Sequence, residues 1–146
     1  MTTRQCTIED IPQALVLIRE FYAEVINDFG IYLNISVARE EAAGFVNTTL
    51  LLENNGQVVG LISGKVIRLP LDTEWVYHEA VWYVRKQYRS GGIKLYKALE
   101  KYCKEQGIKK IIMVSMSNSK DDKLGRFYNR LGFQMMEKHY IKNIGG

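Results

Sequence analysis

Residues 81–107 read VWYVRKQYRSGGIKLYKALEKYCKEQG, and this stretch decides the fold. It opens with aromatic and β-branched residues, which are typical of a buried strand. Gly91 and Gly92 then mark a tight turn, and apolar residues recur at helical spacing until Gly107, a residue type that often closes a helix. The apolar stripe consists of Leu95, Ala98, Leu99, Tyr102 and Cys103, and the opposite side carries Lys94, Lys97, Lys101 and Lys104. The pattern predicts a strand, a glycine turn and a helix that buries one face.

The glycine turn has two interpretations. Glycines allow successive main-chain N–H groups to converge, and the N-terminus of the following helix is already positive, so the turn can hold phosphate oxygens. Arg85, Lys86 and Arg89 add cationic side chains beside it. The alternative is a tight turn with no ligand, since neither the dinucleotide fingerprint G-x-G-x-x-G nor the phosphate-loop motif occurs in the sequence.

Charge is distributed unevenly along the chain, whose net charge is +4. Residues 1–84 carry 5 basic and 11 acidic side chains, residues 85–110 carry 9 and 2, and residues 111–146 carry 6 and 3. A basic segment after an acidic half suits a protein that binds a polyanion on one element and a cation nearby. A solvated, lysine-rich helix face is the simpler interpretation.

Composition excludes several classes of protein. With 47% hydrophobic and 25% charged residues, the chain has enough apolar mass for a folded core. No apolar stretch approaches the roughly 20 residues of a membrane span, and the N-terminal residues MTTRQCTIED lack the pattern of a signal peptide. Cys6 and Cys103 form neither a metal cluster nor a disulfide framework, so we predict a cytoplasmic protein without a metal site.

The remaining sequence predicts a mixed α/β fold. Helices are expected to begin at Asp10 and at Ser36, and a short third one to contain Phe127 and Tyr128. A hairpin is expected at Asn54-Asn55-Gly56. Strands are predicted over residues 3–8, 50–52, 58–67, 74–84, 108–115 and within 133–144. A length of 146 residues suits one domain, 1–146, with helices on both faces of a central sheet.

Two motifs resemble the GNAT superfamily of N-acetyltransferases. VRKQYRSGGI at 84–93, with the helix closing at Gly107 and the strand at 111–114, is similar to its acetyl-CoA-binding core. FYNRLGF at 127–133 resembles its C-terminal F-Y-x-x-L-G-F element, and TIEDI at 7–11 and HYIK at 139–142 are also similar. The resemblance implies a single-domain α/β (α+β mixed) fold with a mostly antiparallel sheet. It also implies transfer of an acetyl group from acetyl-CoA to a primary amine, by direct attack in a ternary complex.

The resemblance implies which residues contact acetyl-CoA. In the family the pantetheine arm lies along the strand before the turn and binds main-chain groups, here those of Trp82, Tyr83 and Val84. The family's pyrophosphate loop, Q/R-x-x-G-x-G/A, fits in two registers. One begins at Arg89 and places Lys94 in the last small position, and the other begins at Gln87 and places Ser90 at the first glycine. The expected contacts are Arg89, Ser90, Gly91, Gly92, Ile93, Lys94 and, before the C-terminal motif, Asn118.

The resemblance also implies catalytic residues. Tyr128 occupies the position of the family's general acid, and a phenol with the ordinary pKa of about 10 keeps its proton at neutral pH. The base stays open between His78 and Glu79. Alternation along a regular strand would place His78 on the face of Trp82 and Val84, and Glu79 on the face of Val81 and Tyr83. Each also has an ordinary role as a strand residue.

The acceptor and the competing functions stay open. The acidic residues Glu20, Glu24, Asp28, Glu40 and Glu41 point to a cationic acceptor, or are simply solvated. A catalytically inactive acetyl-CoA-binding protein is one alternative. Another is a nucleic-acid-binding module that uses the lysine stripe, which the acidic first half disfavours. The acceptor amine is not specified by the sequence, and a homodimer is neither required nor excluded.

Overall fold

The computed structural model describes residues 1–145. Its core is one five-stranded sheet in which the spatial order equals the chain order. The strands are β1 (Thr2–Gln5), β2 (Thr49–Asn54), β3 (Gln57–Arg68), β4 (Trp75–Val84) and β5 (Lys110–Ile112). All neighbours pair antiparallel except β4 and β5, which are parallel. The mostly antiparallel sheet of the mixed α/β prediction is confirmed.

Within the described residues, four α-helices pack around this sheet. They are α1 (Ile11–Glu24), α2 (Ile35–Glu41), α3 (Gly92–Glu105) and α4 (Asp121–Arg130), and short 3₁₀ turns occupy Ile8–Asp10, Ile26–Phe29, Ala42–Thr48 and Lys86–Gly91. Among residues 1–145, no helix combines the length and the apolar composition that crossing a bilayer requires.

Two apolar clusters hold the layers together. On one face, Leu17 and Phe21 of α1 pack with Leu61 and Tyr83 of the sheet. On the other face, the apolar stripe of α3 packs with Leu52, Ile62 and Val84. Burial of these side chains is the main stabilising contribution to the fold, and the prediction of helices on both faces is confirmed.

The β2–β3 hairpin forms where the sequence predicts it. Asn55 has a φ of 50° and Gly56 a φ of 79°, the left-handed pair that a tight hairpin turn requires. At the start of α2, however, Asn34 rather than Ser36 is the cap, since its Oδ1 accepts the N–H of Val37 at 3.2 Å.

The C-terminal region differs from the prediction. β5 spans three residues instead of the expected 108–115, and within the described residues 133–145 form no strand. The apolar residues there do not alternate, because Met135 is followed directly by Met136, and Tyr140 by Ile141. A strand with one buried face needs a period of two, so this segment lacks the pattern that would bury it against β5.

Candidate functional site

A bulge in β4 sets the geometry of the site. Ser63 pairs with Val81 and Gly64 with Glu79, so Ala80 has no partner in β3. A Cβ at Gly64 would overlap the carbonyl of His78, so only glycine allows this close approach. The extra residue reverses the alternation of side chains along β4.

The reversal corrects the predicted faces of β4. Glu79 lies on the α3 side of the sheet together with Trp82, whereas regular alternation would place it with Val81 and Tyr83. His78 lies on the other face: its register partner Lys65 carries its ammonium 4.8 Å from the centre of the Phe45 ring, on the α1 side. The two candidate bases therefore project from opposite faces of the sheet.

Beyond the bulge, β4 has a free edge. β5 pairs only with Val76–His78, so within residues 1–145 the outer edge of β4 from Glu79 to Val84 has no partner strand. The N–H of Arg85 donates to the carbonyl of Val59 at 2.9 Å. In an antiparallel pair this pattern means that Val84 and Trp82 point their main-chain groups away from β3, and Tyr83 points its own toward β3.

The three strand residues predicted to bind acetyl-CoA differ in which of their main-chain groups face the free edge. Trp82 presents both main-chain groups to the free edge. Val84 presents its N–H, while its carbonyl accepts from Nε of Arg89 at 3.0 Å. The hydroxyl of Tyr83 donates to Glu24 at 3.1 Å on the α1 side, so neither its main chain nor its side chain faces the free edge.

The gap between β4 and β5 contains two buried ionisable side chains, Glu79 and Tyr128. The hydroxyl of Tyr128 donates to the carbonyl of Val114 at 3.0 Å, and the N–H of Val114 lies 3.5 Å from Oε1 of Glu79. The main chain of Val114, just after β5, thereby links the predicted acid to one of the predicted bases. His78 does not join them, since its Nδ1 lies 3.0 Å from the carbonyl of Glu79 on the opposite face.

Burial changes the acid–base properties of both groups. Glu79 is only 4% exposed, and loss of hydration raises the pKa of its carboxyl to about 8 against the weak opposing effect of the Val114 N–H. Burial also raises the pKa of the Tyr128 hydroxyl above its usual value, and the Glu79 carboxylate adds to this effect. At neutral pH, Tyr128 keeps its proton and Glu79 titrates within reach of the physiological range.

An aromatic cluster holds Tyr128 in place. Its ring lies 5.3 Å from that of Phe133, 6.0 Å from that of Phe127 and 6.5 Å from that of Trp82, measured between centroids. Phe127 also packs edge-on against Tyr96 of α3. The F-Y-x-x-L-G-F motif thus fixes α4 against β4 and α3, and positions the hydroxyl over Val114.

The glycine turn is built differently from the expectation. Gly91 and Gly92 have φ values of −84° and −61°, so neither uses the left-handed freedom of glycine, and the turn runs as a 3₁₀ helix directly into α3. Gly91 is closely packed, because a Cβ there would lie 2.7 Å from the end of the Leu52 side chain and 2.9 Å from the sulfur of Met1, and these side chains would have to shift. A Cβ at Gly92 would meet only Trp82, at 3.8 Å.

The arginines beside the turn are paired with α1. Arg85 Nε lies 3.1 Å from a Glu20 oxygen, and Arg89 Nη2 lies 3.0 Å from Glu24. These pairs account for two of the acidic residues that were candidates for binding a cationic acceptor. They also place the negative charge of Glu24 beside any phosphate that Arg89 binds.

The other residues predicted to contact acetyl-CoA are spread around the turn and the loop after β5. Ser90 and Ile93 are exposed, and Lys94 Nζ lies 2.6 Å from the carbonyl of Met1. Asn118 lies away from the turn, where its amide donates to the carbonyl of Val25 at 3.0 Å and to Asp28 at 2.8 Å. It ties the loop after β5 to the end of α1.

A cavity of about 410 Å³ lies on the α1 side of the sheet, beneath α1 and α2. Ala80 and Val81 at the bulge form part of its wall. The bulge is therefore shared by this cavity, the free edge of β4 and the Glu79–Tyr128 pair.

Sequence reasoning missed the bulge and the role of Val114. Gly64, which lies inside a run of β-branched and apolar residues, is the available signal, because an isolated glycine in a strand often marks a bulge. The main-chain role of Val114 leaves no signal in the sequence, since every residue type except proline has the same N–H and carbonyl.

The lysine stripe of α3 is partly neutralised. Lys101 pairs with Glu105 at 3.9 Å and Lys104 with Glu100 at 3.2 Å, both one helical turn apart. Such internal pairs are typical of a solvated helix face and reduce the positive charge available to a nucleic acid.

Solved structures with the same fold are known. The aminoglycoside acetyltransferase meta-AAC0020 from an uncultured soil metagenomic sample has a TM-score of 0.74 at 17% identity, over 99% of this chain and 96% of its own. A transcriptional regulator from Bacillus halodurans gives 0.72 at 19%, over 98% and 99%. Aminoglycoside N-acetyltransferase AAC(6')-Iy in complex with CoA gives 0.73 at 11%, over 98% and 93%. At these identities the likeness concerns the fold.

A family assignment comes from the sequence itself. A search of curated proteins found no match. Residues 14–133 match the model of the acetyltransferase (GNAT) family, and this range contains β4, the glycine turn, α3 and the F-Y-x-x-L-G-F motif. Since the match covers well over half of the chain, the protein belongs to the GNAT acetyltransferase family.

Proposed function

We propose that residues 1–146 act as one domain that transfers an acetyl group from acetyl-CoA to a primary amine by direct attack in a ternary complex. The observation that carries the proposal is the free edge of β4, which runs beside Glu79, Val114 and Tyr128 and ends at the bulge. Both cysteines are free thiols, which fits a reducing compartment such as the cytoplasm.

The residues around the free edge fit the chemistry of acetyl-CoA. The pantetheine arm carries amide groups, and the main-chain groups of Trp82 and the N–H of Val84 offer complementary donors and an acceptor. The N-terminus of α3 at Gly92, with Arg89 released from Glu24, offers positive charge to the diphosphate. When bound, acetyl-CoA supplies an activated thioester.

Glu79 and Tyr128 have complementary roles in this proposal. As the amine nitrogen bonds to the acetyl carbon, the nitrogen gives up a proton to the Glu79 carboxylate, directly or through one water. As the carbon–sulfur bond breaks, the Tyr128 hydroxyl turns from the Val114 carbonyl and gives its proton to the departing sulfur. Burial favours this assignment, because it raises the pKa of Glu79 to about 8 and keeps Tyr128 protonated.

His78 is the alternative base. Imidazole is a common general base, but that of His78 projects from the face opposite to Tyr128, and its Nδ1 is engaged by the main-chain carbonyl of Glu79. We therefore assign the role to Glu79.

A transfer assay tests the proposal. Thiol release from acetyl-CoA and formation of the acetylated amine are measured over a panel of amines, with acetyl-CoA affinity measured separately by calorimetry. We expect Tyr128→Phe to bind acetyl-CoA as the parent does and to lose turnover by about 10²-fold or more. Gly92→Glu, which places a carboxylate at the start of α3, should lose binding instead.

Two outcomes would contradict the proposal. Acetyl-CoA binding without turnover of any amine would favour the catalytically inactive relative. Unchanged affinity in Gly92→Glu would mean that the diphosphate binds away from the N-terminus of α3.

A further inference from the structure

The loop after β5 carries the main-chain groups that join Glu79 to Tyr128. Beyond Ile112 the chain no longer pairs with β4, so the sheet does not hold Val114. Met113 packs against the apolar cluster on the α3 side of the sheet, and Met116 against the cluster on the α1 side. The chain therefore crosses from one face of the sheet to the other between these two residues, with Val114 at the crossing.

Asn118 attaches this loop to the end of α1. Its Nδ2 donates to the carbonyl of Val25 at 3.0 Å and to Oδ2 of Asp28 at 2.8 Å. Val25 is buried in the same cluster as Leu17 and Phe21, so the end of α1 is a fixed point in the core. A hydrogen bond to a carboxylate is stronger than one between neutral groups.

The loop is also attached to α4. The hydroxyl of Ser115 donates to Oδ1 of Asp121 at 2.6 Å, and Asp121 is the first residue of the helix that carries Tyr128. Between these two attachments, the N–H of Ser119 donates to the carbonyl of Met116 at 3.0 Å and closes a turn. Loss of the Asn118 amide would leave Ser115 to hold the loop to α4 but would release it from α1.

We infer that Asn118 is a positioning residue for acetyl transfer, because its bonds to the end of α1 hold the main chain of Val114 between Glu79 and Tyr128. The inference rests on the proposed function. Asn118 then acts through Val114 and does not touch the reacting atoms. A contact with acetyl-CoA, which the sequence predicts for Asn118, would give different kinetics.

The kinetic test compares Asn118→Ala with Ser117→Ala, a control at an exposed position of the same loop. We expect Asn118→Ala to lower kcat by about tenfold or more, since small displacements of a catalytic group are costly. KM for acetyl-CoA and its affinity by calorimetry should stay at the parent values, and Ser117→Ala should behave as the parent does. A raised KM with an unchanged kcat would overturn the inference and identify Asn118 as a contact of acetyl-CoA.

A pH profile separates positioning from a general loss of stability. The N–H of Val114 lowers the pKa of Glu79 against the larger effect of burial, so its displacement should raise that pKa. The phenols of Tyr77 and Tyr128 interact with the Glu79 charge, but burial raises the pKa of both, and neither titrates near pH 8. The inflection of kcat/KM should therefore move above pH 8 in Asn118→Ala and stay in place in Ser117→Ala.

Substitutions of Asp28 test the anchor from its other side. Asp28→Ala removes one acceptor of the Asn118 amide and should lower kcat in the same direction as Asn118→Ala. Asp28→Asn keeps an oxygen that can accept the bond and should restore most of the activity. In the double variant the two losses should not add, because both remove the same interaction. Parent activity in both Asn118→Ala and Asp28→Ala would overturn the inference.

A direct titration of Glu79 distinguishes failure of this inference from failure of the proposed function. The carboxyl signal of Glu79 is followed by NMR in protein labelled with isotope-enriched glutamate, and Glu79→Gln identifies that signal. A raised pKa in Asn118→Ala supports the hold on Val114 even where no amine is acetylated, a result that would overturn only the transfer reaction. An unchanged pKa in Asn118→Ala, with a folded protein by thermal melting, would overturn the inference even where transfer occurs.

Discussion

Glu79 and Tyr128 project from different elements but meet at the main chain of Val114, whose N–H lies 3.5 Å from the Glu79 carboxyl and whose carbonyl accepts the Tyr128 hydroxyl at 3.0 Å. The position of each side chain therefore depends on where the chain leaves β5. Because β5 stops pairing at Ile112, Val114 is free to bond with side chains instead of with β4.

The acetylation rate should depend on the ionisation of Glu79. Below about pH 8 its carboxyl is protonated and cannot accept a proton, so kcat/KM should rise with pH and level off above that value. We expect Glu79→Gln to lower kcat/KM by about 10²-fold or more and to remove the inflection near pH 8. The measurement is a profile of kcat/KM between about pH 6 and about pH 10 for the parent and for Glu79→Gln. Protonation of the amine substrate affects both proteins equally, so the difference between the two profiles reports Glu79. The same inflection in Glu79→Gln would assign it to another group.

The stability of the fold should also report the burial of Glu79. Its pKa is about 8 in the folded chain and near the ordinary value of 4.5 in the unfolded one, so between these pH values the folded state binds more protons. The free energy of unfolding therefore falls as pH rises from about 4.5 to about 8, and each pKa unit corresponds to about 1.4 kcal/mol. Glu79→Gln should lose this dependence and be a few kcal/mol more stable than the parent above pH 8.

Denaturant unfolding at several pH values checks this prediction. Glu9→Gln is the matched control, because Glu9 is exposed and its substitution should leave the pH dependence as in the parent. A parent whose stability is flat from about pH 5 to about pH 8 would show that Glu79 is ionised in the folded state.

The two glycines of the turn should respond differently to the same substitution. Gly91→Ala places a methyl group against Leu52 and Met1, and overpacking of this kind costs about 1–3 kcal/mol. Gly92→Ala has room, occupies a helical conformation and should leave stability unchanged or raise it by about 0.4–1 kcal/mol. Thermal melting compares the two proteins directly. Equal stabilities of the two variants would mean that a Cβ at Gly91 is accommodated as well as one at Gly92, which would contradict the crowding at Gly91.

Release of Arg89 should strengthen the binding of acetyl-CoA. Glu24 pairs with Arg89 in an exposed position, and such pairs contribute up to about 1 kcal/mol. Glu24→Gln removes the competing carboxylate, so the dissociation constant for acetyl-CoA should fall by up to about fivefold. Arg89→Gln provides the opposite control and should weaken binding. A weaker complex in Glu24→Gln would mean that the pair orients Arg89 for the phosphate rather than competing with it.

The features that local sequence specifies were predictable. The stripe of α3 follows from helical periodicity, and the β2–β3 turn follows from the tolerance of Asn55 and Gly56 for positive φ. The F-Y-x-x-L-G-F motif placed Tyr128 on a helix that the structure contains. Each of these depends on residues a few positions apart.

The features that depend on contacts between distant parts of the chain were not predictable from the sequence. The bulge depends on how β3 meets β4, and it moved Glu79 to the face of Trp82. Arg85 and Arg89 are bound by glutamates 65 residues earlier in the chain, which no local pattern indicates. The strand expected over 133–144 fails because its apolar residues do not alternate. The remaining site assignments, including Ser90, Ile93 and Asn118 as contacts of acetyl-CoA, stay predictions.

The contact between the first residue and the start of α3 has a practical consequence for handling the protein. Met1 lies against Gly91, and its carbonyl accepts from the ammonium of Lys94, so extra residues fused ahead of it would emerge beside the turn that we propose binds the diphosphate of acetyl-CoA. An affinity tag at that end would occupy space near the proposed acetyl-CoA site, or would bind the cationic side chains there in place of acetyl-CoA. Affinity tags should therefore be placed at the C-terminus, or joined to the N-terminus through a protease site that is cleaved before binding is measured.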